Sequence, residues 1–199
     1  MRRRFMVLRG GGAGGDVPPN DEIWYTSSNG NAVTPYYTDV FGAALVSNTY
    51  ENGKGIIKFD GTVTSIGYWA FGECSSLTSI TIPNGVTRIG YLAFRYCSNL
   101  TEVTIGNGVT SIEDEAFDSC SSLTSIIIPN SVTSIGAWVF YDCKSLQNIV
   151  CKPKTPPKGG DSMFYGIHSS AKIYVPTGTG AAYRSAANWS DYASKIVEM

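Results

Sequence analysis

Cysteine recurs at a fixed interval: Cys74, Cys97, Cys120 and Cys143 lie 23 residues apart, and a fifth, Cys151, falls outside the series. A thiolate is a nucleophile and a soft metal ligand. Each chemistry sets its own geometry. Zinc needs four ligands converging tetrahedrally. A disulfide needs Cβ atoms about 3.8 Å apart with a sharp torsion. Residues at equivalent positions of stacked coils instead form a straight column spaced near about 4.8 Å, all pointing the same way. Such a column suits neither metal nor disulfide, and the odd count argues against a complete disulfide framework. Buried packing thiols are the expected arrangement.

The other reactive types are sparse. His168 is the single histidine, so any Cys-His or Ser-His nucleophile would have to use it. It sits in "GIHSS" with no partner constellation around it. Glu113, Asp114, Glu115 and Asp118 form the one charged block, but Ala116 and Phe117 interrupt it, and a calcium loop needs oxygen ligands wrapped around a glycine turn. The block reads as a solvated face. Gly53-Lys54-Gly55 lacks the upstream glycine of a phosphate loop and reads as part of a hairpin. No cofactor is expected.

The cysteine interval is that of a whole repeat. "IKFDGTVTSIGYWAFGECSSLTS" (57–79) is followed without insertion by three more 23-residue copies, 80–102, 103–125 and 126–148. Each copy opens on two apolar residues separated by one: Ile57/Phe59, Ile80/Ile82, Val103/Ile105, Ile126/Ile128. That alternation predicts a short strand with one face inward. A turn follows, "PNG", "GNG" or "PNS", rich in residues that preset or tolerate turn dihedrals. Val and Ile then recur three apart, as in Val86/Ile89. Next comes a small residue with Phe, as in Ala93-Phe94, and this segment predicts a single helical or 3-10 turn packing inward. Leu77, Leu100, Leu123 and Leu146 close the copies. One copy cannot bury these side chains alone, whereas stacking buries them all. The fold class is therefore an α/β solenoid: a right-handed coil with a parallel sheet, one short strand per repeat and short helical turns opposite.

A solenoid must cover its ends. Residues 17–56 are expected to form an N-terminal β-rich cap, with an aromatic strand in "EIWYTS", a turn at Asn29-Gly30 and a hairpin about Asn52-Gly53. Residues 57–148 hold the four repeats, and 149–199 a degenerate repeat with a C-terminal cap. In that segment Ile149 and Cys151 begin a fifth strand, Pro153, Pro156 and Pro157 break it, and Phe164 substitutes for the repeat Phe. "KIYVP" is a further strand and "GAAYRSAANW" a short helix. Residues 1–16 read as a glycine-rich tail.

Within the repeat some positions never change and others always do. The pairs before Ala-Phe are Tyr68-Trp69, Tyr91-Leu92, Asp114-Glu115 and Ala137-Trp138. The pairs after are Gly72-Glu73, Arg95-Tyr96, Asp118-Ser119 and Tyr141-Asp142. These flanks are expected to face solvent, and Tyr and Trp there supply much of the contact energy of binding surfaces. Tyr68, Trp69, Tyr91, Tyr96, Trp138 and Tyr141 are the candidate binding residues. The competing reading is drift on an exposed face, with the rings half-packed on neighbouring coils. The outer strand face (Lys58, Thr81, Thr104, Ile127, Val150) is flat and nearly uncharged.

Four of the 15 basic residues lie in the first nine positions, so the remainder carries 11 basic and 16 acidic residues. A body of that sign is a poor phosphate binder, which sets nucleic acid aside. No apolar run approaches the roughly 20 residues of a membrane span. The start "MRRRFMVLRGGG" has a basic head, but its apolar core "FMVL" is short of the about 7–15 residues of a signal peptide, so no export signal is visible.

The order Leu-x-x-Ile-x-Ile-Pro-x-x-Val-x-x-Ile-Gly-x-x-Ala-Phe-x-x-Cys, read directly from Leu77 to Cys97, resembles the BspA-type bacterial leucine-rich repeat, also found in treponemal proteins. The match covers residues 57–148. Residues 172–196 resemble the segment that commonly follows such arrays in gut Bacteroides proteins. The resemblance implies a cell-surface or extracellular protein that binds host or matrix molecules, with no enzyme activity. The expected function is a non-enzymatic, adhesin-like binding module for a protein or glycan partner. The alternative is a structural or assembly component, for example of a phage particle or surface complex.

Overall fold

The computed structural model describes residues 17–199, so the tail reading of 1–16 lies outside the described residues. The alternating apolar segments are extended, as their pattern requires. The N-terminal cap contributes β1 (Glu22–Ser27), β2 (Leu45–Glu51) and β3 (Lys54–Phe59). The array then alternates two-residue and longer strands: β4 (Ser65–Ile66), β5 (Leu77–Thr81), β6 (Arg88–Ile89), β7 (Glu102–Thr104), β8 (Ser111–Ile112), β9 (Ser125–Ile128), β10 (Ser134–Ile135), β11 (Asn148–Cys151) and β12 (Lys158–Gly159). After β13 (Lys172–Val175) come helix α1 (Gly180–Ser185), a 3-10 segment Ser190–Lys195 and β14 (Ile196–Glu198).

The solenoid is present, but each coil carries two strands instead of the expected one. The short strands form a parallel sheet of their own, β12-β10-β8-β6-β4, and the longer strands form two others, β2-β3-β1-β5-β7 and β14-β13-β11-β9. Register follows the sequence period: Ile80 faces Val103 and Ser65 faces Arg88, 23 residues on. In the fifth coil the offset becomes 24, with Ile149 opposite Ile173 and Ser134 opposite Lys158. The proline-rich stretch after Cys151 absorbs the extra residue.

At the N-terminal end the Ile57 strand does not stack on the Ile80 strand. β1 runs antiparallel between them, with Ile23 opposite Ile57 and Tyr25 opposite Ile80. This brings Ile23 and Tyr25 into the core. The Tyr25 hydroxyl is satisfied there by Asn48 Oδ1 at 2.6 Å and the Val33 N–H at 3.2 Å. The hairpin to β2 turns on Asn52 and Gly53, both at positive φ (51° and 80°), the geometry that matches strand twist.

The Ala-Phe segments are not helical. In the first copy the N–H groups of Ala70, Gly72 and Cys74 bond back three residues, to Gly67, Trp69 and Phe71. Those of Trp69, Phe71 and Glu73 bond forward to Tyr91, Ala93 and Arg95 of the next coil. A helix would spend every donor within itself and leave none to join coils. The alternating pattern needs two residues per coil in the left-handed region: Trp69 and Glu73, Leu92 and Tyr96, Glu115 and Ser119, Trp138 and Asp142, all at φ 50–61°. The fifth coil uses Ser162 and Gly166.

Inside this frame the phenylalanines form one column. Phe71, Phe94, Phe117, Phe140 and Phe164 stack with centroids 5.0–5.5 Å apart and planes within 3–4°. Phe41 closes the column edge-on against Phe71, and Trp189 and Tyr192 close it against Phe164. The Trp189 indole N–H and the Tyr183 hydroxyl donate to the carbonyls of Pro157 and Pro153 (2.7 and 2.8 Å), so the breaking segment is tied down by the C-terminal cap.

The thiols line the same interior. Cys97, Cys120 and Cys143 each donate to the carbonyl of a phenylalanine one coil back, Phe71, Phe94 and Phe117, at 3.0–3.2 Å. Each sulfur is aimed at backbone rather than at its neighbours in the column, and all five cysteines are free. Burial raises these thiols well above their usual range. Cys74 differs from the expectation of a uniformly buried column. It heads the column with only the cap loop above it, is half-buried, and its pKa is raised by burial to about 11.

Replacing Phe94, fully buried in mid-column, with Ala is expected to cost about 3–5 kcal/mol in denaturant unfolding; a near-zero loss would contradict the stack. Glu73→Gly is expected to stabilise by about 0.5–1 kcal/mol, because glycine takes positive φ without strain. A thiol reagent should label only Cys74 in the folded protein. Since the thiolate is the reactive form and pH 8 lies well below about 11, its rate should rise roughly tenfold per pH unit. Labelling of Cys97 or Cys120 without unfolding would refute the packing column.

Candidate binding surface

The left-handed residues have a structural consequence: they turn the variable side chains outward while Ala and Phe point in. Tyr68, Tyr91, Tyr96 and Trp138 are 43–49% exposed. Trp69 and Tyr141 lie half-buried beside them. All six candidate residues therefore lie on the tandem-turn face, rising along successive coils as a ridge. Three of the other flank residues do not face solvent: Gly72, Leu92 and Asp118 are buried. Gly72 lies under the Trp69 ring, where a Cβ would clash with the indole. Asp118 turns in to reach Arg95.

The rings pack on one another. Tyr68 stacks on Tyr91 and on Tyr37 of the cap, both at 5.8 Å, and Tyr36 meets Tyr37 and Trp69 edge-on. Further along, Tyr141 stacks on Tyr165 at 5.4 Å. Tyr36, Tyr37 and Tyr165 thus extend the ridge beyond the residues found from the repeat. Tyr165 follows Phe164 as Tyr141 follows Phe140, so an alignment allowing one inserted residue reveals it. Tyr36 and Tyr37 sit in an irregular cap loop with no periodic signal.

Between the two aromatic groups lies a charged knot. Arg95 holds its guanidinium over the Tyr96 ring, 4.6 Å from the centroid. It pairs with Glu115 at 3.3 Å and with Asp118 at 2.8 Å. The Nε–H points off the line to Asp118, so that contact is an ion pair rather than an aligned hydrogen bond. Burial opposes the Arg95 charge, but Asp118, Tyr96 and Glu115 outweigh it and raise its pKa. Glu115 likewise raises the pKa of the Tyr91 hydroxyl. A pocket of about 330 Å³ opens here, lined by Arg95, Glu115, Asp118, Trp138 and Tyr141. A broader groove of about 540 Å³ runs beside Tyr91, along Ser111, Ser134 and Lys158, with Glu113, Asp114 and Asp161 on its rim. Glu113 is already engaged, with Arg88 at 3.1 Å and the Tyr91 N–H at 3.0 Å.

The remaining candidates for chemistry stand apart. The His168 ring accepts the Ser170 N–H at 3.2 Å within its own turn. On the outer strand face Lys58 pairs with Glu22 at 3.1 Å, and its strand is separated from Thr81 by β1. Ile127 is the exposed apolar residue of that face, at 41%. Among the described residues no cluster of His, Cys, Asp and Glu has the geometry of a metal site, and no helix is long and apolar enough to cross a membrane.

Comparison with known proteins agrees with this architecture. Residues 50–169 match the model of the BspA type leucine rich repeat region in six copies. The leucine rich repeat protein of T. pallidum is similar in structure, with TM-score 0.56 and 28% identity over 71% of this chain and 64% of that one. This chain therefore spans just under two thirds of the treponemal protein. A leucine-rich repeat protein of Bacteroides capillosus matches over 80% of this chain and 96% of its own, at 27% identity and TM-score 0.43. A leucine rich cell surface protein of Faecalibacterium prausnitzii matches over 70% of this chain and 40% of its own, at 24% identity and TM-score 0.42. No curated protein matches in sequence. With its period, its paired strand columns and a family match over more than half its length, the chain belongs to the BspA-type leucine-rich repeat family.

Proposed function

We propose that the protein is a non-enzymatic recognition module that binds a macromolecular partner, protein or glycan, along the aromatic ridge of the tandem-turn face. The observation that carries this reading is the separation of roles within one coil. Ala, Phe, Leu and Cys build the interior, while Tyr68, Trp69, Tyr91, Tyr96, Trp138 and Tyr141 project from the same turns without completing the core. Rings held by stacking lose little freedom on binding, which favours their use as contact anchors. The thiols, raised by burial and aimed at carbonyls, are poor nucleophiles. Families of this repeat act as binding modules, and the resemblance supports the reading of a cell-surface or extracellular protein.

The test is a four-residue variant, Tyr68→Ser, Trp69→Ser, Tyr96→Ser and Trp138→Ser. It should retain the far-ultraviolet spectrum of the wild type and lose at least about tenfold in signal on arrays of immobilised proteins and glycans. Equal signal from the folded variant would reject the ridge.

A further inference from the structure

We infer that the ridge recognises a basic polypeptide segment, taking Arg or Lys side chains between its aromatic rings and its carboxylates. This rests on the reading of the ridge as the binding face. The variable flank positions of the five coils carry six acidic residues, Glu73, Asp114, Glu115, Asp118, Asp142 and Asp161, and one basic residue, Arg95. The other described residues are nearly balanced, with nine acidic and ten basic. The excess negative charge of the solenoid is thus concentrated on one face, the same face that carries the exposed rings. Opposed charge on a partner both steers the encounter and fixes its register.

Arg95 shows the mode of recognition within the molecule. Its guanidinium lies over Tyr96 and is paired on its edges with Glu115 and Asp118. A cation over an aromatic face with carboxylates at its rim is the arrangement a docking Arg or Lys would repeat. The 330 Å³ pocket opens onto this same knot, where Glu115 and Asp118 give two carboxylates to the one guanidinium and Trp138 and Tyr141 add aromatic walls. Asp114 and Asp161 stand exposed on the rim of the 540 Å³ groove. A glycan fits less well. A sugar ring needs an open aromatic face, whereas Tyr37, Tyr68 and Tyr91 cover one another's faces, as do Tyr141 and Tyr165. Those rings offer edges and hydroxyls, which suit peptide contacts.

The experiment is a fluorescence-anisotropy titration with a labelled peptide of alternating arginine and glycine. Peptides in which glutamate or serine replaces arginine serve as comparisons. The wild type should bind the arginine peptide alone, and more weakly as salt rises from about 50 to about 300 mM. Trp138→Ala, and separately Asp114→Asn with Asp142→Asn and Asp161→Asn, should each weaken binding about tenfold. Glu51→Gln with Glu102→Gln and Asp191→Asn, the same charge change off the ridge, should alter it less than about twofold. Absence of binding, equal binding of the serine peptide, or equal loss in both triple variants would overturn the inference. If the array signals of the serine ridge variant fall on glycans while the arginine peptide does not bind, the ridge stands and the basic partner falls. If that variant loses nothing on the arrays, the ridge itself falls.

Discussion

Each coil must return its phenylalanine ring over the ring of the coil before it, and the rest of the structure accommodates that requirement. Five rings lie face to face within 3–4°, each pair worth about 0.5–1.5 kcal/mol beyond its buried area. The constraint acts on the column and not on chain length as such. The fifth coil has one residue more than the others, yet Phe164 still lies 5.4 Å from Phe140. The surplus is taken up among Pro153, Pro156 and Pro157, where no ladder has to be maintained. The capping residues then match the ring exposed at each end: Phe41 edge-on at one, Trp189 and Tyr192 at the other.

Backbone hydrogen bonding explains why the turns are strained and why they vary. Donors around each Phe alternate between their own coil and the next one. That alternation requires positive φ at non-glycine residues in every coil, at a cost of about 1–3 kcal/mol each where nothing offsets it. The offset is cooperative, since each coil completes the bonds of its neighbour. Because backbone and inward side chains alone satisfy the coil, the outward positions are released from folding duty. Tyr, Trp, Glu, Asp, Ala and Arg all occur there.

What the sequence made legible follows the same division. The period, the inward columns at Val/Ile, Ala-Phe and Leu, the substitute role of Phe164 and the Asn52-Gly53 hairpin all depend on local pattern, and each could be read from residue types. The insertion of β1 between β3 and β5 could not. It is an antiparallel pairing between residues more than thirty apart, and Ile57 carries the same alternation whichever strand lies beside it. The short-strand column was hidden because its members are two residues long and span only a Ser-Ile, Arg-Ile or Lys-Gly step. The left-handed turns were hidden because none of the four exact copies places glycine at those positions; only Gly166 does. Of the ridge, the residues inside exact copies were legible, Tyr165 becomes so once one inserted residue is allowed, and Tyr36 and Tyr37 were not, since an irregular cap loop lies outside the period.

The composition of the ridge carries information because the fold does not dictate it. The interior positions hold the same types in coil after coil, and the outer strand face, Lys58, Thr81, Thr104, Ile127 and Val150, is nearly uncharged. Asp118 illustrates the point: it is the one buried polar side chain among the described residues, and it is held there by Arg95 of the preceding coil, not by the stack. The equivalent positions in other coils are Gly72, Arg95 and Tyr141, and the Phe column runs past all four without change. A buried pair of this kind contributes little net stability after desolvation. Its effect is to hold a guanidinium, a tyrosine ring and two carboxylates in fixed relation at the surface. An arrangement that the stack neither needs nor opposes is explained by what lies against that surface.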